Sequence, residues 1–286
     1  MKKNTLKEMI NRNKIIEAPG IFDALSAKIA QAKGFPALYM TGYGTSAALF
    51  GYPDIGLLTM TEMVESAKRI ADVVTTPIIA DADTGYGNPV NTYRTVREFE
   101  KAGVSCIHLE DQEWPKRCGH MGGKKVIDAK EMVGKIQSAL DARASSDFLI
   151  IARTDSLAVF GFEHAIERAN LYAQAGADMV FIDAPTTREQ VERIPELVPS
   201  KPSILNLGPL TPNFSAKELQ EMNYAMVIYP GVCLAAMVSS IMMELDLLKK
   251  EGKQKDYSEW AQSFAGLNEL LGTSKFREME KKYRSE

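Results

Sequence analysis

Apolar positions along this chain follow two alternating rhythms. Short runs rich in β-branched residues read as strands: Ile15–Gly20, Ala37–Gly42, Pro77–Asp83, Cys106–Asp111, Phe148–Asp155, Met179–Ala184, Ser203–Gly208 and Met226–Gly231. Between them the spacing turns helical, over Asp23–Lys33, Thr61–Val73, Pro89–Ala102, Asp128–Ala142, Phe162–Ala175, Arg188–Leu197 and Ala216–Met222. A longer helical pattern, Cys233–Lys250, follows the last run. Three helical segments close on Lys33-Gly34, Ala102-Gly103 and Ala175-Gly176, where glycine takes the left-handed turn that ends a helix. The strands are near-continuously apolar, as a parallel sheet covered on both faces requires. Eight strand–helix units predict one (β/α)8 TIM-barrel domain over residues 1–286. No G-x-G-x-x-G turn follows the first run, which weighs against an open doubly wound sheet. Beyond residue 244, amphipathic patterns at Tyr257–Leu271 and Lys275–Lys282 form a C-terminal helical extension, more helix than eight units need.

Two of the connections that leave strand C-termini are long, Tyr43–Met60 and Gln112–Ile127. Barrel active sites sit at that end, and long loops in a compact domain are usually functional. Polar residues gather there too. The second run ends in Tyr39-Met40-Thr41-Gly42-Tyr43-Gly44, the third in Asp81-Ala82-Asp83-Thr84-Gly85-Tyr86-Gly87, and the fourth in His108-Leu109-Glu110-Asp111. The fifth ends in Arg153-Thr154-Asp155, the sixth at Asp183 and the seventh at Asn206. Residues two apart on a strand share a face, so Asp81 and Asp83 are expected to point together into the mouth. With Glu110 from the next strand they would surround one Mg²⁺ or Mn²⁺. A single strand-end Asp is as readily a turn or helix cap. Three acids together repel one another unless a cation sits among them.

Arg153 has two readings: a strand-end ion pair with Asp155 or Asp183, or a two-point grip on a substrate carboxylate. His108 lies inside an apolar run and reads as a core histidine. The Gly42–Gly44 turn is either a tight turn or an anion site. Cys118 stands in the second long loop beside Lys116, Arg117 and His120, a positive field expected to favour its thiolate.

Composition narrows the class. With 45% hydrophobic and 25% charged residues the chain can bury a full core. A net charge of −3 leaves no nucleic-acid footprint. Of the three cysteines, Cys106 and Cys233 lie in apolar runs, so a disulfide framework is not expected. No run is long enough to span a bilayer, and Met1-Lys2-Lys3-Asn4 leads into a polar stretch rather than a signal core. The expectation is a cytoplasmic protein whose partner is a small molecule, with neither nucleic acid nor membrane.

Lys116-Arg117-Cys118-Gly119-His120, together with Asp81 to Gly87, resembles the isocitrate lyase/phosphoenolpyruvate mutase superfamily. The likeness runs from about Gly20 to about Met243 and includes Tyr52-Pro53-Asp54-Ile55-Gly56 and Ile151-Ala152-Arg153-Thr154-Asp155. The cysteine loop marks the carbon–carbon lyase branch, with methylisocitrate lyase and 2,3-dimethylmalate lyase. The resemblance implies a (β/α)8 barrel whose last helix swaps between subunits of a homotetramer. It implies a Mg²⁺ (or Mn²⁺) site at Asp81 and Asp83, with Glu110 and Asp54 reaching the ion's waters. Thr41, Gly42 and Tyr43 match the turn that holds a 2-oxo-acid carboxylate. Cys118 matches the catalytic cysteine of a mobile gate loop, with Gly119 and His120 beside it. Arg153 and Asn206 match substrate contacts, and Tyr39 and Tyr43 are candidates for the hydroxyl base.

Three positions depart from the methylisocitrate pattern. Asp183 stands where those enzymes carry Glu, and Ala235 where they carry an Arg that grips the tricarboxylate. Asn206-Leu207-Gly208-Pro209-Leu210 replaces Asn-x-Thr-Glu-Phe-Gly. A third carboxylate would lie poorly paired. The expectation is therefore a dicarboxylate, 2,3-dimethylmalate in preference to methylisocitrate. Its C2–C3 bond would break in a reverse aldol (Claisen-type) step giving pyruvate and propionate, with Cys118 protonating C3. The competing classes are a phosphonate enzyme of the carboxyvinyl-carboxyphosphonate phosphorylmutase type and a non-catalytic 2-oxo-acid binder on the same barrel.

Overall fold

The structure, a computed structural model, describes residues 5–11, 14–254 and 260–284. Its strands are β1 (Ile16–Ile21), β2 (Leu38–Met40), β3 (Ile78–Asp81), β4 (Cys106–Glu110), β5 (Leu149–Thr154), β6 (Met179–Ile182), β7 (Ser203–Asn206) and β8 (Tyr224–Tyr229). They close into a parallel barrel in sequence order, β8 pairing with β1. All eight expected strands form, each within the run that predicted it or two residues outside it.

The helices in order are α1 (Leu6–Ile10), α2 (Ala24–Ala32), α3 (Gly42–Thr45), α4 (Met60–Ala71), α5 (Pro89–Lys101), α6 (Ala129–Ala142) and α7 (Leu157–Phe160). Then come α8 (Phe162–Gln174), α9 (Arg188–Leu197), α10 (Ala216–Glu221), α11 (Val232–Glu251), α12 (Trp260–Leu271) and α13 (Thr273–Tyr283). Side-chain caps set most starts: Asp23 accepts from the Ser26 N–H and Thr59 from the Glu62 N–H. Position 244 falls inside α11, which runs on without a break. The stretch 257–259 of the expected Tyr257–Leu271 helix lies outside the described residues. Helices α1, α3 and α7 are too short to carry a periodicity and were not foreseen.

Alternation along the strands places the site. One set of strand residues packs outward against the helices: Leu38 and Met40, Ile78 and Ala80, Ile107 and Leu109, Ile150 and Ala152. The alternate set fills the interior: Tyr39, Ile79, Cys106, Leu149 and Ile151, Met179 and Phe181, Ile204, Met226 and Ile228, with Leu6 of α1 packed against them. Continuing each inward column toward the C-terminal end, by one step or on β4 by two through His108, gives Thr41, Asp81, Glu110, Arg153, Asp183 and Asn206. All six are buried. The barrel is thus largely apolar through its interior, His108 and the Tyr39 hydroxyl aside, and its charged groups gather at the mouth. Register fixes the neighbours there: Asp81 pairs with His108, and Glu110 with Arg153.

Candidate active site

Two long loops roof the mouth. The first begins with α3, capped by the Thr41 hydroxyl accepting from the Gly44 N–H at 3.2 Å. A π-helical turn, Ser46–Phe50, follows and ends at Gly51 with φ 68°. It delivers Asp54, which is buried. The second loop is pinned at its base by the Ile127 N–H donating to the Asp111 carbonyl (2.9 Å) and by a bridge between Gln112 and Val126. The Gln112 side chain then brackets Arg117, accepting from its N–H at 3.0 Å and donating to its carbonyl at 2.8 Å. The Cys118 N–H donates to the Asp54 carbonyl at 3.0 Å, so the two loops are joined to each other.

Beneath them lies a cavity of about 330 Å³. Tyr39, Thr41, Tyr43, Asp54, Asp81, Cys118, Gly119, His120, Arg153, Asp183 and Asn206 all line it, which brings most of the expected site residues together. Asp83, Glu110 and Gly42 do not line this cavity, although all three are buried. The far wall is apolar: Met121, Pro209, Leu210 and Pro230.

The acids carry two cations. The Lys116 ammonium lies 2.5 Å from Asp54 Oδ1 and 2.7 Å from Asp83 Oδ1. Burial works against its charge, but Asp83, Asp54 and Asp81 outweigh that and hold the ammonium protonated well above its usual range. Burial also opposes ionisation of Asp81. His108, Lys116 and Arg153 together still pull it down to about 2, and the Asp83 N–H donates to it at 3.0 Å. His108 is itself pushed by burial to about 4 and is neutral at pH 7, so Lys116 and Arg153 supply the charge. Asp83 goes the other way, up to about 6, driven by burial and then by Asp81 and Asp54 against the pull of Lys116. Glu110 is raised well above the carboxylate range, mainly by burial.

Three expectations need correction here. Asp83 is not on β3: it sits past the strand end with φ 46°, in the left-handed region that Asp tolerates. Its proximity to Asp81 comes from a turn rather than from strand alternation. Next, among the described residues no three His, Cys, Asp or Glu side chains converge as a direct metal shell. Lys116 stands between Asp54 and Asp83, and the Arg153 guanidinium lies 3.2 Å from Glu110 Oε2. The set still fits a magnesium ion held by one or two carboxylates and its own waters. Among the described residues Glu110 Oε1 is buried with no hydrogen-bond partner, and the Lys116 ammonium lies 2.7 Å from Asp83 Oδ1. Asp83 and Glu110 both hold protons more tightly than free carboxylates do, chiefly because burial disfavours their ionised forms, and a divalent ion would offset that cost.

The Cys118 thiolate is not favoured. Burial pushes its thiol up, although the His120 N–H and Arg153 act in the opposite direction. Lys116 is turned into the acids, and Arg117 faces outward onto the Gly122 carbonyl. The neighbours in sequence do not supply the field that their order suggested.

Arg153 makes the strand-end ion pairs, with both Asp155 and Asp183. Its Nε and Nη2 grip Asp155 at 2.8 and 3.0 Å, and Nη2 also reaches Asp183 Oδ2 at 3.0 Å. Its guanidinium lies 5.3 Å from the centre of the Phe181 ring. The two-point grip is thus made on Asp155, with the remaining edge at the cavity. Asn206 Nδ2 donates to Asp183 Oδ1 (3.0 Å) and lies 3.2 Å from His120 Nε2, which ties the loop to β7. Tyr39 OH lies 2.8 Å from His108 Nε2, and burial raises its phenol well above the usual value. Such a phenol holds its proton, so it suits donation better than abstraction. Gly42 donates its N–H to Asp81 Oδ2 at 3.3 Å.

Sequence reasoning missed Lys124. Set in Gly122-Gly123-Lys124-Lys125, it carries no motif, yet it is buried on Asp155 at 3.0 Å. It also missed the buried ring behind the strands, where Asp111 Oδ2 accepts from Thr154, Arg168 and Tyr172 at 2.7, 3.0 and 2.8 Å.

The family profile for phosphoenolpyruvate phosphomutase matches residues 6–248. The chain is 44% identical over 280 residues to 2,3-dimethylmalate lyase of Eubacterium barkeri, covering 97% of this chain and 96% of that protein. It is 39% identical to 2-methylisocitrate lyase of Aeropyrum pernix, covering 93% and 86%. A crystal structure of 2,3-dimethylmalate lyase superposes with a TM-score of 0.91 at 36% identity, covering 96% of this chain and 93% of that one. Phosphonopyruvate hydrolase complexed with oxalate and Mg²⁺ superposes with a TM-score of 0.89 at 29% identity, covering 97% of each.

Proposed function

The chain belongs to the phosphoenolpyruvate phosphomutase/isocitrate lyase superfamily, and from that premise we propose that it is a magnesium-dependent carbon–carbon lyase acting on a 2-hydroxy dicarboxylate, 2,3-dimethylmalate in preference to methylisocitrate. The supporting observation is the two-sided cavity. One side presents Lys116, Arg153 and the acids, and the other presents Met121, Pro209, Leu210 and Pro230. A bound divalent ion and the cavity edge of Arg153 would meet two carboxylates, and the apolar wall suits methyl groups. A third carboxylate on that wall would be desolvated without a partner, which costs several kcal/mol.

The residues divide the work as follows. Asp81 and Asp83, with Asp54 and Glu110 beyond, would hold the ion, which when bound acidifies the C2 hydroxyl and polarises the carbonyl that forms there. Thr41 and Tyr43, which line the cavity, orient the C2 carboxylate, and Gly42 holds Asp81 beside them. The C2 hydroxyl releases its proton to solvent before the loop closes, the C2–C3 bond breaks, and its electron pair moves onto the second carboxylate as an enediolate. Arg153 and His120 border the space where that charge gathers. Cys118, kept protonated by burial, donates its proton to C3 and completes propionate. The gate loop roofs the cavity and keeps water from the enediolate.

We assign the exposed apolar residues of α11 to contact with a second copy, in a homotetramer. Val238, Ile241, Met242, Met243, Leu245 and Leu248 are all exposed, and only Leu234 of that helix is buried. Among the described residues no helix is long and apolar enough to cross a membrane.

Pyruvate release measured across malate, 2-methylmalate, 2,3-dimethylmalate, 2-methylisocitrate and isocitrate tests the substrate. The largest kcat/KM should fall on 2,3-dimethylmalate, and a preference for 2-methylisocitrate would overturn the assignment. Phosphonopyruvate and carboxyphosphonate substrates run beside them; turnover confined to those would move the chain to the phosphonate class. Binding of pyruvate with no turnover of any of them would mark a binding protein.

A further inference from the structure

The gate loop has a tip and a return limb, and one side chain links both to the barrel floor. Gly119, at the tip, lies directly over Asp183 and Arg153. Lys124, on the return limb, is only 8% exposed, whereas its neighbour Lys125 is exposed. Its ammonium donates to the Gly119 carbonyl and, at 3.0 Å, to Asp155 Oδ1. Burying a lysine is costly unless its charge is met, and here one carboxylate and one carbonyl meet it.

Asp155 is fully buried and fixed from behind, its own N–H donating to Asp111 Oδ1 at 2.9 Å. The oxygen that accepts from Lys124 also accepts from Arg153 Nη2 at 3.0 Å, while Oδ2 takes Arg153 Nε at 2.8 Å. One carboxylate therefore holds the arginine at the cavity and the lysine that holds the loop tip down. Raising the tip takes the Gly119 carbonyl from Lys124 and removes the backbone seated on Arg153 and Asp183.

We propose that Lys124 is a positioning residue: through Asp155 it couples closure of the Cys118 loop to the orientation of Arg153. The coupling stands on geometry and needs no particular substrate, so it can be tested apart from the lyase reading.

The readout is the rate of Cys118 alkylation by iodoacetamide in the full-length protein, resolved from Cys106 and Cys233 by peptide mass spectrometry. It is measured with and without pyruvate and magnesium. Trypsin cleavage after Arg117, which is exposed but held by the closed loop, gives a parallel reading. In K124M, Cys118 should react about tenfold faster or more, the loss expected for one hydrogen bond to a charged group. Cys233 should keep its wild-type rate and Tm should stay close to wild type. Pyruvate with magnesium should protect Cys118 in the wild type and much less in K124M. K124R, which keeps a cation on the stem, should react more slowly than K124M. D155N removes the charge from the other end and should also release the loop, which covers the case of a K124M protein that does not fold. Wild-type Cys118 reactivity in folded K124M would overturn the proposal, and so would equal acceleration of Cys118 and Cys233. Failure of the substrate reading would look different: no pyruvate release from wild-type protein, with this alkylation pattern intact.

Discussion

Gly119 lies against Asp183 so closely that a methyl group on its Cα would overlap Asp183 Oδ2 and sit 2.5 Å from Arg153 Nη2. Neither neighbour can yield, because Asp183 is held by Arg153 and Asn206. Gly119→Ala should therefore lift the loop tip rather than displace the floor. We expect kcat to fall by about tenfold to a hundredfold, as for small misplacements of a catalytic group, with Tm nearly unchanged. Steady-state kinetics beside calorimetry checks this; wild-type kcat would show that the tip does not seat there during turnover.

Cys118→Ser should lower kcat by about 10² to 10⁴, the usual worth of a positioned proton donor, while pyruvate and Mg²⁺ still bind by calorimetry. The sign of the pH dependence follows from the acid role. The protonated thiol is the active form, and burial raises its pKa, so at saturating Mg²⁺ the thiol limb appears as a loss of activity when pH climbs past the ordinary thiol range, above about pH 8.5. A limb falling below that value would mean that the thiolate is the working form.

Removing divalent ions with EDTA should abolish pyruvate release, and Mg²⁺ or Mn²⁺ should restore it. The ion's affinity should weaken as pH falls through about 6, because Asp83 is raised to about 6 and must be ionised to hold a cation. The same shift fixes a stability signature. A carboxyl raised in the folded state weakens folding above its unfolded pKa, and a bound ion relieves that. Magnesium should therefore raise Tm more at pH 8 than at pH 5.5. Equal shifts at both values would remove Asp83 from the ion's reach.

Leu245→Asp places a charge on the exposed apolar stripe of α11, where Leu245 is 58% exposed. Light scattering should show a tetramer for the wild type and smaller species for the variant, with the barrel's circular dichroism preserved. A wild-type monomer would leave the stripe without the proposed partner.

The barrel was legible because strand interiors are set by burial alone. Runs such as Phe148–Asp155 and Met179–Ala184 become β5 and β6 almost residue for residue. The mouth was legible in outline, since an inward column that ends in Asp81, Glu110 or Arg153 has only one polar place to go. Detail was lost where the backbone leaves the strand. Asp83 reaches the site through a left-handed turn that no periodicity marks. The field at Cys118 was misjudged because proximity in sequence is not proximity in space: Lys116 folds under the loop and Arg117 folds over it. Lys124 was invisible for a related reason, since a lysine beside another lysine and two glycines carries no signature of burial.

The Lys116 ammonium lying between Asp54 and Asp83 has one more consequence. These carboxylates never stand bare, because the polypeptide brings its own counter-ion to them on a tether. Occupancy by a divalent cation would then be an exchange of positive charges, and the lysine it would unseat belongs to the segment that carries the thiol. A metal arriving there would therefore be felt mechanically by the lid, two residues from Cys118.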